Sequence, residues 1–270
     1  MSGHPELDAT AARLRLDTMR MIAAAGAGHP GSSLSAIEIL TVLHYHTMRH
    51  RPADPTWAER DRFVLSKGHA APALYAVLID LGVLPRELAG SLRALGSPLQ
   101  GHPDPRTRGI EVGSGSLGQA FSVAVGMALG LGRRGLGARV FALLGDGECQ
   151  EGQVWEAAMC AAQLGLADLT VIVDANGIQH DGRTADIMGA APLAAKWRAF
   201  GWEVVEADGH DCAELIAALA PSAGPHPRPR AVIAHTVKGR GVSFMEDDPN
   251  WHSVADPGRL AEAVEELSHA

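Results

Sequence analysis

Two stretches, Arg139–Leu144 and Leu169–Asp174, run as continuous apolar segments and show no alternation of apolar and polar residues. A strand without a polar face has to be covered on both sides, which is the situation of a parallel sheet held between helices. Between them Gln153 to Leu164 has helical spacing, and two further strand signals, Glu203–Glu206 and Ala231–Thr236, enclose a helix at 211–220. Upstream, DRFVLSKGHAAPALYAVLIDLG gives a short strand, a glycine turn and a helix. Strands alternating with helices predict an α/β fold, a three-layer α/β/α doubly wound parallel sheet.

The flanking segments fit that frame. Leu7, Ala11, Leu14, Thr18, Met21 and Ala25 form the apolar stripe of a helix that stops at Gly26–Gly28. A second helix is expected from Ser33 to about Met48, with its hydroxyl-rich start acting as N-cap. Another spans about Ser116 to Arg133, and residues 257–268 form a closing helix. Residues 96–118 are rich in Gly, Pro and Ser, and so long an irregular stretch points to a functional loop. Pro221–Pro229 reads as a surface linker. With no internal repeat and no boundary signal, residues 1–270 are expected to form one domain.

Composition removes several function classes. A net charge of −8 over 270 residues argues against nucleic acid, whose phosphates call for basic stripes. No apolar run approaches the ~18 residues of a membrane span, and MSGHPELDAT has no secretory pattern. Cys149, Cys160 and Cys212 lack CxxC spacing and read as free thiols of a reducing, cytoplasmic protein. The 13 histidines are informative, because several adjoin glycine or proline, where loops hold imidazoles around a polar ligand.

The strand ending at Leu144 is followed by Gly145–Asp146–Gly147–Glu148, and the next strand ends just before Asn176. Ligands of open α/β sheets bind at the carboxyl ends of strands, so Asp146 and Asn176 should emerge at one edge. A carboxylate, an amide oxygen and a backbone carbonyl are hard donors suited to Mg²⁺, and the flanking glycines let the backbone approach a phosphate. An isolated GDG is more often a plain strand-end turn. Here Asn176 follows 30 positions after Asp146, which matches the thiamine diphosphate fingerprint.

Over nearly its whole length the sequence resembles the amino-terminal, diphosphate-binding (PP) domain of transketolases. The shared stretches are GHPGSS, DRFVLSKGHAAPALYAVL, QGHPDP, GSGSLGQA, LLGDGECQEGQVWEA, FGWEVVEADGHD and HTVKGRG with a later WH. The resemblance implies thiamine diphosphate and Mg²⁺ as cofactors, with Ca²⁺ or Mn²⁺ able to replace the metal. It assigns Asp146, Asn176 and the carbonyl of Ile178 to the metal. Ser32, His69, Gly115, Ser116, Leu117, Gly147, Asn176, Lys238 and His252 fall to the cofactor. His29, His102 and His252 would line the funnel and handle sugar hydroxyls and protons. Glu151 and Glu156 would lie near a catalytic glutamate of the partner. Against these stand blander roles: a histidine beside glycine is often only a turn residue, and the two glutamates suit the first turns of any helix. His44, His46 and His50 belong to the surface or a packed helix, and Cys149 to packing beside the metal loop.

By the same resemblance the chain transfers a two-carbon ketol unit from a ketose (phosphate) donor to an aldose acceptor. The sequence shows no second α/β domain to supply the glutamate that activates the aminopyrimidine. The expectation is therefore an α2β2 assembly with a carboxy-terminal, pyrimidine-binding (Pyr) subunit, and no activity alone. Alternatives are another thiamine-dependent carboligase and a cofactor-binding subunit without turnover. A nicotinamide module is disfavoured, because no GxGxxG follows a strand. One departure is His180, two residues after Ile178, where relatives carry an aliphatic residue or Gln; it is expected to alter substrate choice.

Overall fold

The computed structural model describes residues 3–221, 228–254 and 256–269. Helix α1 (Pro5–Ala25) opens on a proline in its first turn and ends at Gly26. Its buried stripe includes Ala11, Leu14, Thr18, Met21 and Ile22, the expected face. The helix expected from Ser33 to Met48 is instead broken into α2 (Pro30–Leu34), α3 (Ile37–Val42) and a π-helical turn over Leu43–Thr47. The serines explain the break, because their hydroxyls do not cap. Ser33 Oγ donates to the His29 carbonyl at 2.9 Å, and Ser35 Oγ donates to Asp174 Oδ2 at 2.6 Å. Drawn to that carboxylate, Ser35 sits in a turn between the two short helices.

The chain continues through β1 (Arg62–Leu65), α4 (Ala71–Asp80), α5 (Gln119–Arg133), β2 (Val140–Gly145), α6 (Gly152–Gln163) and β3 (Leu169–Ala175). A small hairpin follows, β4 (Ile178–Gln179) and β5 (Gly182–Arg183), then α7 (Thr184–Met188) and α8 (Leu193–Ala199). The last elements are β6 (Glu203–Asp208), α9 (Cys212–Leu219), β7 (Arg230–His235) and α10 (Pro257–Ser268). Five strands form one sheet in the order β1-β2-β3-β7-β6, with every pair parallel.

Alternate residues of each central strand enter different cores. Phe141, Leu143, Ile172 and Val232 pack with the apolar faces of α1, α3, α4, α9 and α10. Val140, Ala142, Leu144, Val171, Val173 and Ile233 pack on the other side with α5, α6 and α8. The expected three layers are present. Helix α8 had no counterpart in the sequence reading; it carries Trp197, which is fully buried with its ring 4.8 Å from that of Trp202.

Residues 96–118 contain no helix or strand, and α5 starts at Gln119, three residues later than expected. Its entry is fixed by Gly118, at φ 80°, whose N–H donates to Glu148 at 2.9 Å. The expected linker Pro221–Pro229 lies largely outside the described residues. Among the described residues no helix is long and apolar enough to cross a membrane.

Candidate active site

The carboxyl ends of β1, β2, β3 and β7 deliver Lys67, Asp146, Asn176 and Lys238 to one region, as parallel strands must. A cavity of about 310 Å³ opens there. Its wall gathers segments far apart in sequence, from His29 to His252.

The three expected metal donors share this wall. Asp146 Oδ1 accepts the Gly147 N–H at 2.8 Å and Oδ2 accepts the Gly177 N–H at 2.7 Å. Asn176 Oδ1 accepts the Ile178 N–H at 3.1 Å, and the Ile178 carbonyl accepts from Lys238 Nζ at 3.1 Å. Each oxygen is oriented by one donor and keeps a second lone pair. Among the described residues no group of three or more His, Cys, Asp or Glu side chains is spaced to hold a metal. The trio has a single carboxylate, completed by neutral oxygens, so it suits a hard cation whose remaining positions go to phosphate and water. Next in sequence to the cavity-lining Gly115, the buried Ser114 Oγ has no hydrogen bond and lies 2.5 Å from where a Cβ on Gly68 would sit. Magnesium and a diphosphate fit this donor set.

Facing the oxygens is a wall of imidazoles. The His29 ring lies 5.5 Å from His69, 6.2 Å from His102 and 5.6 Å from His252. Burial, and then repulsion from Arg93 and from His102 once that ring is protonated, lowers His29 to about 4. Burial and Lys238 bring His252 to about 3. His69 falls well below its ordinary value through burial and then Lys67, and His102 falls through burial and then Arg93. These rings are neutral at pH 7, able both to donate and to accept a hydrogen bond.

A pH dependence follows. Unfolded imidazoles titrate near ~6.5, so between that value and pH 5 the unfolded chain takes up protons that the folded chain refuses, and stability falls on acidification. Asp146, raised to about 6 by burial and by Asp174, and the raised Glu148 work in the opposite direction. With His44, which burial lowers to about 3, five imidazoles outweigh two carboxyls. The isolated chain should melt at a lower temperature at pH 5 than at pH 7; an equal or higher melting temperature would contradict the neutral cluster.

Ser32, Gly115, Leu117, Gly147 and Glu151 also line the cavity. Ser116 is exposed and outside that wall, and Glu156 is exposed on α6. Lys238 is fully buried behind the wall, where its ammonium reaches His252 Nδ1 at 2.9 Å; burial and then Lys67 lower it to about 8. Gly147 also has a steric role in the fold. A Cβ there would lie 3.0 Å from the Gln179 Cβ, so glycine makes room for the β4–β5 hairpin. His44 is buried and His50 half-buried with Nε2 2.6 Å from the His44 carbonyl, in keeping with a packed helix. Cys149 is buried beside the metal loop.

Three residues of the site escaped the sequence reading. Lys67 and Asp174 form a fully buried ion pair behind Asn176. Glu148, also buried, accepts from Ser66 Oγ and from the N–H groups of Gly118 and Gly145, tying the ends of β1 and β2 to the start of α5. The available signal was a charge closing each apolar run: Lys67 after RFVL, Asp174 within LTVIVD.

Residues 7–258 match the family described as transketolase, thiamine diphosphate binding domain. The chain belongs to the transketolase family. A 6-deoxy-6-sulfo-D-fructose transketolase subunit of Clostridium sp. (strain MSTE9) is 44% identical over 242 residues, covering 89% of this chain and 88% of that protein. An apulose-4-phosphate transketolase subunit of Phocaeicola vulgatus is 39% identical over 264 residues, covering 97% of this chain and 93% of that protein. The transketolase of Pongo abelii is 44% identical over 257 residues, 94% of this chain but 41% of its own length. Among solved structures, a transketolase variant from Pichia stipitis superposes with a TM-score of 0.90 at 31% identity, over 98% of this chain and 40% of the other. This transketolase chain thus spans nearly the full length of the two subunit-type relatives and about two fifths of the long ones. Its fold is the thiamine-diphosphate-binding PP fold.

Proposed function

We propose that this transketolase chain is the amino-terminal subunit of a two-chain enzyme that moves a two-carbon ketol unit from a ketose or ketose-phosphate donor to an aldose acceptor. The observation that carries the reading is the pairing, across one cavity, of the Asp146–Asn176–Ile178 oxygens with the neutral rings of His29, His69, His102 and His252. In this reading the oxygens hold Mg²⁺, with Ca²⁺ or Mn²⁺ as substitutes, and through it the diphosphate. Gly147, Ser32, His69, Gly115 and Leu117 enclose the cofactor, with Ser116 carried on the same loop and Lys238 acting from behind through His252. When bound, thiamine diphosphate supplies the carbon nucleophile that the side chains lack. His29, His102 and His252 hydrogen-bond sugar hydroxyls and pass protons as a carbonyl becomes a hydroxyl and back.

The partner is a Pyr-domain subunit in an α2β2 assembly. The names of two relatives, each a transketolase subunit, support a partner chain, and so do exposed groups on α5 and α6. Glu151 at the rim and Glu156 on α6 are exposed, as are the apolar Val123 on α5 and Met159 on α6. Residues 1–270 then act as one diphosphate-binding domain, and the three free thiols fit the cytoplasm. Mixing the chain with a Pyr-domain subunit should give metal-dependent cofactor uptake and ketol transfer, and the chain alone should transfer nothing. Uptake without carbon–carbon cleavage would favour a non-catalytic cofactor carrier.

His180 occupies the tip of the β4–β5 hairpin, mostly exposed, with its ring edge-on to His252 at 5.0 Å and lining the cavity. A hydrogen-bonding ring at the mouth discriminates hydroxyl patterns that an aliphatic side chain treats alike. His180→Ile should change the kcat/KM ratio of two ketose donors by about tenfold. Equal losses on both donors would show that the ring has no part in selection.

A further inference from the structure

We propose that Asp174, held in place by Lys67, is the positioning residue that turns the Asn176 amide oxygen toward the cation site. The proposal rests on the reading of Asp146, Asn176 and Ile178 as metal donors.

An asparagine ligand has a problem that a carboxylate lacks: only one of its two terminal atoms can bind a cation. Something must fix which atom faces the metal. Asn176 Nδ2 donates to Asp174 Oδ1 at 3.2 Å. Turning the amide over would set its oxygen against that carboxylate oxygen and its NH₂ against the Ile178 N–H. Asp174 is therefore a group that accepts the amide from one side only.

The carboxylate is itself locked. It is 0% exposed and accepts from four side chains. Lys67 Nζ and Ser35 Oγ meet Oδ2, and Thr236 Oγ1 and Asn176 Nδ2 meet Oδ1. Lys67 is anchored a second time, by the Ser32 carbonyl at 3.1 Å. With an ammonium, two hydroxyls and an amide all donating to it, the carboxylate stands as an acceptor on every side. The donors come from β1, α2–α3 and β7, while the acceptor ends β3. The direction of one amide thus depends on three neighbouring segments, and outer-shell partners of this kind set the aim of metal ligands.

The test exchanges donor and acceptor. In Asp174→Asn the new amide must still offer an oxygen to Lys67, so its NH₂ faces the NH₂ of Asn176. In the swapped pair, Asp174→Asn with Asn176→Asp, that NH₂ meets a carboxylate, and the carboxylate's second oxygen is free for the metal. The assembled complex would be titrated with Mg²⁺ at fixed thiamine diphosphate, following cofactor uptake by calorimetry, with folding checked by circular dichroism. Asp174→Asn should raise the Mg²⁺ midpoint by roughly 10- to 100-fold, and the swapped pair should recover at least tenfold relative to Asp174→Asn or, where that variant does not assemble, relative to Asn176→Asp. Losses that simply add, a swapped pair that fails to assemble, or a folded Asp174→Asn complex with the wild-type midpoint would overturn the proposal. A wild-type complex without metal-dependent uptake would instead overturn the metal assignment itself.

Discussion

Asp146→Ala should leave a folded subunit that assembles with its partner but no longer takes up thiamine diphosphate with Mg²⁺. Of the three donor oxygens, only that of Asp146 carries charge, and the residue is 6% exposed. Withdrawing one member of a buried, mutually compensating charge pair costs about 3–5 kcal/mol, or roughly two to four orders of magnitude in affinity. The apo protein should tolerate the change. Its Asp146 carboxyl is held up near 6 by burial and by Asp174, a sign that the charge is unfavourable without a cation. Asp146→Asn separates charge from hydrogen bonding, since its oxygen can still accept from Gly147 or Gly177. Both variants should fail alike in calorimetric titration. Uptake within tenfold of wild type in either would remove Asp146 from the metal site.

Lys67→Met should be the most destabilising single change at the site. The ammonium is 1% exposed and its partner Asp174 is 0% exposed, so the substitution strands a carboxylate in the protein interior. Such a break costs about 3–5 kcal/mol, and for a domain of this size a fall in Tm of roughly 10 °C. Without Lys67 the carboxyl escapes its charge by binding a proton, which raises its folded pKa above the unfolded value. The deficit against wild type should then shrink as the pH falls through that raised pKa. Adding Asp174→Asn should restore more than half of the lost Tm by removing the charge altogether. A Lys67→Met chain that melts within 3 °C of wild type would show that the pair is solvated and not buried. That threshold is about 1 kcal/mol.

What was legible in the sequence follows from periodicity. The strands at 140–145 and 169–175 were found to within a residue at each end, because burial on both faces leaves no polar residue to blur the run. The Asp146–Asn176 pair was legible for the same reason, since adjacent parallel strands bring their ends together. Helix α2–α3 was misjudged because apolar spacing says nothing about where a serine hydroxyl finds its acceptor. Ser35 reaches Asp174, 139 positions away. The β4–β5 hairpin has only two residues in each strand, too few for any period, although Asp181–Gly182, where the turn enters β5, is a usable hint. Lys67 was passed over because a lysine beside glycine reads as exposed. Only the pairing of β1 with β2, and of β2 with β3, places it against Asp174.

A final consequence concerns how the protein is made. Gly28 and Val254 form an isolated bridge, with N–H···O distances of 3.1 and 3.0 Å, and α1 packs against α10. The loop carrying His29 is therefore stitched to the segment carrying His252. The oxygen donors lie within 33 positions of one another, from Asp146 to Ile178, but the imidazole wall joins His29 to His252 and has to wait until that later segment has been made. Contacts so distant in sequence form slowly, so the imidazole wall should be the last part of the site to order.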